Sequence, residues 1–145
     1  STRGSFDTTI NVLEGLLELE RSVGARHDVT AARLRGEEYL LERHLIHRLS
    51  DGEVPQRRWL EIGFPNGWYY DVARVLDYLR LARPAPDERM SEALDTLGSK
   101  QVDGRWPLEH AYHSRLLVDL GETEGGPSRW LTLRALRVLR WAGAR

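Results

Sequence analysis

The sequence contains no cysteine. That excludes disulfides, thiolate nucleophiles and cysteine-held zinc or iron–sulfur centres, and it leaves the redox compartment open. Lysine is almost absent too. Lys100 is the single one, so arginine carries the rest of the positive charge, and its planar fork suits ion-pair lattices between helices. An excess of one sign is also lacking. With 21 basic and 22 acidic residues the formal net charge is -1, and no global field favours nucleic acid or an anionic membrane. No apolar run is long enough to span a bilayer and no signal-peptide pattern is seen, so a cytoplasmic placement is the expectation. The first residue is Ser1 rather than methionine, which suggests a piece of a longer protein.

What is present is globular. Hydrophobic residues make up 41% and charged residues 30%, and 145 residues suffice for one domain with a real core. Helical spacing predicts five helices. The first follows a cap at Ser5 or Asp7, carries Ile10, Val12, Leu13, Leu16, Leu17, Leu19 and Val23 over a wide arc, and stops at Gly24. The second is capped by Asp28 or Thr30 and runs to about Leu49. It has one stripe of Leu34, Leu41, Leu45 and Leu49, and another of Ala32, Gly36, Leu40 and His44, whose small members allow a close neighbour. Arg33, Arg35, Glu37, Glu38, Glu42 and Arg43 give this helix a wet face.

Residues 53–67 form a long connection that is apolar for a loop, with Trp59, Leu60, Ile62 and Phe64, and so is expected to pack onto the body. A third helix spans residues 71 to about 83, and a fourth spans 86 to about 101. Residues 115–120 read as a short extended segment. Ser128 caps a fifth helix, through about Ala142.

Three segments align: Val12-Leu13-Glu14-Gly15-Leu16, Val75-Leu76-Asp77-Tyr78-Leu79 and Ala135-Leu136-Arg137-Val138-Leu139. Their middle leucines lie 63 and 60 residues apart, with the more polar helices between them. Buried and half-exposed helices alternating at constant spacing build a helical solenoid or toroid, here an all-α chain of inner and outer hairpins.

The stretch Ala93-x3-Leu97-x3-Gln101, followed by Asp103-Gly104-Arg105-Trp106, resembles the Gln–Trp repeat of the terpenoid cyclase and prenyltransferase α/α-toroid superfamily. The spacing between Gln101 and Gly104 is one residue shorter than in that pattern. Arg35-Gly36 and Tyr39-Leu40 match the motif's opening, with His44 where glutamine is expected. The chain as a whole is similar to the C-terminal part of actinobacterial proteins carrying squalene-cyclase-like repeats, through residues 6–16, 68–72, 103–108 and 128–139. The resemblance implies an incomplete α/α toroid over residues 1–145. Three inner and two outer helices cannot close a ring, so missing N-terminal repeats or self-association are expected.

The chemistry that would go with this resemblance is thin. A cyclase of the superfamily protonates its substrate with a DxDD-type motif, and Asp7-Thr8-Thr9 offers a single acid, better placed to cap a helix. A protein prenyltransferase needs a zinc held partly by cysteine. His44 with His47, and His110 with His113, are spaced to share a metal, but His44 occupies a structural position of the repeat. No catalytic residue, metal or cofactor is therefore assigned.

Phe6, Trp68, Tyr69, Tyr70 and Trp130 stand at equivalent starts of the inner helices, beside Asp7 and Asp71. They are the expected binding residues for an apolar, isoprenoid-like molecule. The alternative is a non-catalytic module for a protein partner. A carbohydrate-active toroid has only Asp71 beside Trp68 in its favour. The stripe Arg134, Arg137 and Arg140 is expected to pair with acids of a neighbouring helix. Trp106 is expected to fold back as a latch near Gln101.

Overall fold

The structure is a computed structural model that describes residues 4–143. It is predominantly helical: α1 (Phe6–Val23), α2 (His27–Leu41), α3 (Val72–Ala82), α4 (Ser91–Ser99) and α5 (Arg129–Trp141). A minimal antiparallel pair joins β1 (Trp106–Pro107) to β2 (Pro127–Ser128), with Trp106 opposite Ser128. No helix among the described residues is long and apolar enough to cross a membrane.

Ser5 caps α1 through its hydroxyl, which accepts from the Thr8 amide at 3.1 Å, and Gly24 ends the helix at φ 89°. Phe6, Ile10, Leu13 and Leu17 form the buried stripe. Val12, Leu19 and Val23 are exposed, so the buried arc is narrower than the sequence implies. The first helix is buried along one side, and α3 alone is enclosed nearly all round, from Val72 to Leu79 with only Asp77 partly open. It packs against α1, α4 and α5.

The second helix departs from its pattern twice. It ends at Leu41, not near Leu49, because His44 and Leu45 take left-handed conformations at φ 48° and 69°. That turn carries Leu45 and Ile46 into the core beside Leu41. A left-handed L-residue costs roughly 1–2 kcal/mol, and burying a leucine or isoleucine returns about 1.5–3 kcal/mol each, so burial wins over helical continuity. Nor does a side chain cap α2: Arg26 holds that position, and Asp28 lies in the first turn, where the helix dipole favours its charge.

The expected wet face is also partly dry. Glu37 is fully buried and accepts from Arg33 Nη1 at 2.6 Å, the Tyr78 hydroxyl at 2.8 Å and Arg83 Nε at 2.9 Å. Arg33 Nε reaches Glu20 of α1 at 2.9 Å, so one ion cluster ties α1, α2 and the end of α3. Burial and Glu37 together push the Tyr78 hydroxyl well above its usual range. The small-residue stripe works as its composition implies: a Cβ on Gly36 would lie 2.7 Å from Leu13 Cδ2.

The fourth helix is shorter than its pattern. A 3-10 turn, Glu88–Met90, capped by the Asp87 carboxylate, precedes it. After Ser99 the chain forms a two-residue hairpin in which Val102 and Arg105 exchange backbone hydrogen bonds across Asp103 (φ 52°) and Gly104 (φ 76°). Two successive positive φ values are what a type I′ turn requires. Trp106 then turns inward, fully buried, and its indole N–H donates to the Leu97 carbonyl at 2.7 Å. Gln101 is exposed and takes no part in this latch.

Residues 115–120 form no strand, and Leu117 is fully exposed, so the apolar run there buries nothing that would order it as one. In α5, which Ser128 caps through the Leu131 amide, Leu131, Ala135 and Val138 are buried. Leu136 is half-exposed, unlike its sequence counterparts Leu13 and Leu76. Of the arginine stripe only Arg134 pairs as expected, with Asp77 of α3 at 3.4 Å, while Arg137 and Arg140 are exposed and form no ion pair among the described residues.

Candidate functional site

The seven residues singled out at the helix starts separate into two groups. Phe6, Asp7, Tyr70 and Asp71 are largely enclosed, whereas Trp68, Tyr69 and Trp130 are exposed. The split follows from the loop that enters α3. Asp71 caps that helix, its Oδ1 accepting from the Arg74 amide at 2.8 Å. Its Oδ2 accepts from the Gly63 amide and from Asn66 Nδ2. Burial pushes the Asp71 carboxyl up, against the pull of these donors and of Arg134. Arg74 braces the same loop by donating to the Gly67 and Tyr69 carbonyls, and holds α1 through Glu14. With residues 66–71 held in this way, Trp68 and Tyr69 project outward from a fixed backbone, and Arg58 stacks over Tyr69 at 4.9 Å.

Asp7 does not cap α1. Ser5 does, and Asp7 reaches across to the long connection and the loop that enters α3 instead. Its Oδ1 accepts from the Tyr70 amide at 2.8 Å and its Oδ2 from Arg58 Nη2 at 2.8 Å. Beside it the Phe6 ring stacks on Trp59, with centroids 4.0 Å apart and planes 7° apart, and meets Tyr70 edge-on at 5.1 Å. The Tyr70 hydroxyl donates to the Leu45 carbonyl, and burial with the nearby Asp71 pushes it well above the ordinary phenol range. The expected gathering of aromatics at the helix starts is therefore real for Phe6 and Tyr70, which recruit Trp59 from the long connection. Trp130 is elsewhere, stacked on Phe64 at 5.4 Å.

Phe6, Asp7 and Trp59 border an open groove of about 810 Å³. Its other walls are Gly4, Ser5 and Tyr39, then Arg43, Arg48, Leu49 and Ser50 from the turn after α2, then Pro55 and Gln56. Ligand sites are commonly clefts of about 300–1,000 Å³ lined by apolar and aromatic groups with a few polar ones, and this groove has that size and make-up. Tyr39, Arg43, Arg48 and Leu49 escape sequence reasoning for one reason. On a helix continuing to Leu49, Arg43 and Arg48 would lie on different faces. The left-handed turn at His44–Leu45 brings both to the same groove.

No family model, curated protein or solved structure matches this chain. Its function must be read from its own geometry.

A second depression, of about 140 Å³, lies where α1, α3 and α5 meet, edged by Glu14, Arg74, Asp77 and Arg134. Its acids are ion-paired: Glu14 with Arg74 at 2.7 Å, Asp77 with Arg80 at 2.8 Å and with Arg134. Among the described residues no three histidines, aspartates or glutamates are grouped to hold a metal ion. His44 is exposed, His47 hydrogen-bonds Glu92 at 2.7 Å, and His110 lies against Gly63, with its Nε2 3.9 Å from Asp71.

Proposed function

We propose that this chain is a cytoplasmic helical-repeat binding module that takes an apolar, isoprenoid-like small molecule in the groove beside Phe6 and Trp59 and leaves it chemically unchanged. In this reading α1, α3 and α5 are the inner helices of an incomplete α/α toroid, and α2 and α4 are the outer ones. The observation that carries the proposal is the groove itself: about 810 Å³, with aromatic and aliphatic walls from Phe6, Tyr39, Leu49, Pro55 and Trp59. Binding without reaction is favoured by the state of the acids. Asp7, the acid in the groove, is held by Arg58 and the Tyr70 amide, and Asp71 is occupied by three donors. Neither is disposed as a proton donor to a ligand.

Titration of the protein with geraniol, an uncharged branched apolar alcohol, tests the proposal. Saturable binding is expected, and the variant Leu49→Asp, at an exposed groove position, is expected to abolish it with the fold unchanged. Failure to saturate, or equal affinity in the variant, contradicts the assignment.

A second reading, a module for a protein partner or another copy of the chain, is favoured by one observation. Trp68, Tyr69 and Trp130 are exposed, and exposed tryptophan, tyrosine and arginine are the residue types that dominate interface energetics. Sedimentation velocity distinguishes the self-association case: a concentration-dependent dimer lost in Trp68→Ser supports it, and a monomer at all concentrations excludes it.

A further inference from the structure

The groove beside α1 is not electrically neutral, and its charges are unequally used. Asp7 has one carboxylate oxygen on the Tyr70 amide and the other on Arg58, so its charge is met from outside the groove lining. Arg48 is matched fork to fork with Asp51, Nε to Oδ1 at 3.0 Å and Nη2 to Oδ2 at 2.6 Å. Arg43 is different. Only its Nη1 is engaged, by the Tyr39 carbonyl at 2.7 Å and more distantly by Glu42 at 3.7 Å. Its Nε and Nη2 have no protein partner among the described residues, while its guanidinium stands 3.7 Å over the Tyr39 ring. That stacking fixes the plane of the fork and leaves two N–H edges to receive an anion. The wall contains a further unmet donor: Trp59 is buried, and its indole nitrogen has no partner among the described residues.

We infer that the molecule bound in this groove carries a single carboxylate, received by Arg43 with Arg48 as the neighbouring cation, while its apolar body lies along Tyr39, Leu49 and Pro55. The inference rests on the groove reading above and adds the charge of the ligand to it. A monoanion suits the site because, with Asp7 paired with Arg58 and Arg48 with Asp51, Arg43 is the one lining cation met only at a distance, by Glu42 at 3.7 Å. A dianion would leave half its charge uncompensated beside Asp7 and Asp51. The backbone supports the same assignment. Two consecutive left-handed residues without a glycine, His44 and Leu45, lie between the two arginines and set both on the groove wall.

Isothermal titration of the full chain with decanoate, decan-1-ol and decyltrimethylammonium tests this, since the three share an apolar chain and differ in charge. Decanoate is expected to bind about tenfold more tightly than decan-1-ol, and the ammonium more weakly than either. Arg43→Gln is expected to remove the decanoate preference while decan-1-ol affinity stays within about twofold. Because Arg43 also holds the Tyr39 carbonyl, a salt series on the unaltered protein provides a second measurement. The decanoate preference should shrink as ionic strength rises toward about 1 M, where the Debye length is about 3 Å, with decan-1-ol unaffected. Equal binding of decanoate and decan-1-ol overturns the carboxylate assignment and leaves the groove reading standing. Binding of none of the three overturns both. A preference that survives Arg43→Gln in a folded variant overturns Arg43 as the anchor.

Discussion

The indole N–H of Trp106 donates to the carbonyl of Leu97 at 2.7 Å, across the hairpin turn at Asp103–Gly104. Both partners are fully buried, and the bond adds a short donor to a carbonyl in the last turn of α4 that otherwise accepts only from the Lys100 amide, at 3.3 Å. The Trp106 amide is taken by Thr132 of α5, so a single residue joins α4 to α5. Trp106→Ala removes the ring and leaves the Leu97 carbonyl with only the long bond from the Lys100 amide, at 3.3 Å. A loss of about 3–5 kcal/mol is expected in chemical denaturation. An unchanged midpoint and slope would show that the latch is dispensable.

The turn after α2 makes the opposite prediction. His44 is exposed and left-handed at φ 48°, so its side chain contributes strain without burial. His44→Gly relieves that strain and is expected to raise stability by about 1 kcal/mol, net of the glycine's greater freedom when unfolded. The reading is thermal melting at fixed pH. A lower melting temperature would mean that the His44 side chain is stabilising the turn.

Glu37 gathers Arg33, Tyr78 and Arg83 in a dry interface. Replacing it with alanine strands the Arg83 guanidinium and the Tyr78 hydroxyl and leaves Arg33 with Glu20 alone. Breaking a buried pair from one side costs about 3–5 kcal/mol. Denaturation of Glu37→Ala should show a loss of that size, and a loss below about 1 kcal/mol would place the cluster in water.

Two aspartates should titrate on opposite sides of the ordinary aspartate value. The hydrogen bond from Arg89 holds Asp87 down at about 2, below its ordinary 3.8. Its stabilising contribution is present above about pH 4 and is lost as pH falls through about 2. Burial moves Asp71 the other way, above 3.8. Folded Asp71 keeps its proton where the unfolded chain has lost it, so its contribution to stability declines as pH rises from about 4 through its folded pKa. Carboxyl-carbon NMR should show Asp87 titrating below and Asp71 above the ordinary aspartate value. The reverse order would contradict the burial of Asp71.

Much of the helical architecture was legible in the sequence because apolar spacing and end signals agreed. Ser5, Gly24, Asp71 and Ser128 mark helix ends as their chemistry implies, and Gly36 marks the close approach of α1 and α2. The break at His44–Leu45 was not legible. No glycine or proline announces it, and it is imposed by the gain from burying Leu45 and Ile46. The groove was missed for the same reason, since its arginines meet only through that break. Arg33 and Glu37 carry a solvated-face pattern, and charge pattern alone does not reveal a partner for Glu37 such as Arg83, 46 residues further along the chain. Phe6 and Tyr70 meet edge-on at 5.1 Å, a proximity that their positions at helix starts imply. Sequence position alone leaves Asp7 either a cap or a site residue, and it is Ser5 that caps α1, while Trp130 stacks on Phe64 rather than joining Phe6 and Tyr70.

The five tryptophans offer the most direct measurement of where a ligand sits, since each indole N–H gives its own NMR signal. Trp106 and Trp141 donate to the Leu97 and Arg83 carbonyls, Trp68 and Trp130 lie at the exposed surface, and Trp59 alone borders the groove. On titration with decanoate, the Trp59 signal is expected to move and saturate while the other four stay in place. Movement of Trp68 and Trp130 with Trp59 unmoved would assign binding to the exposed aromatic surface and contradict the groove as the functional site.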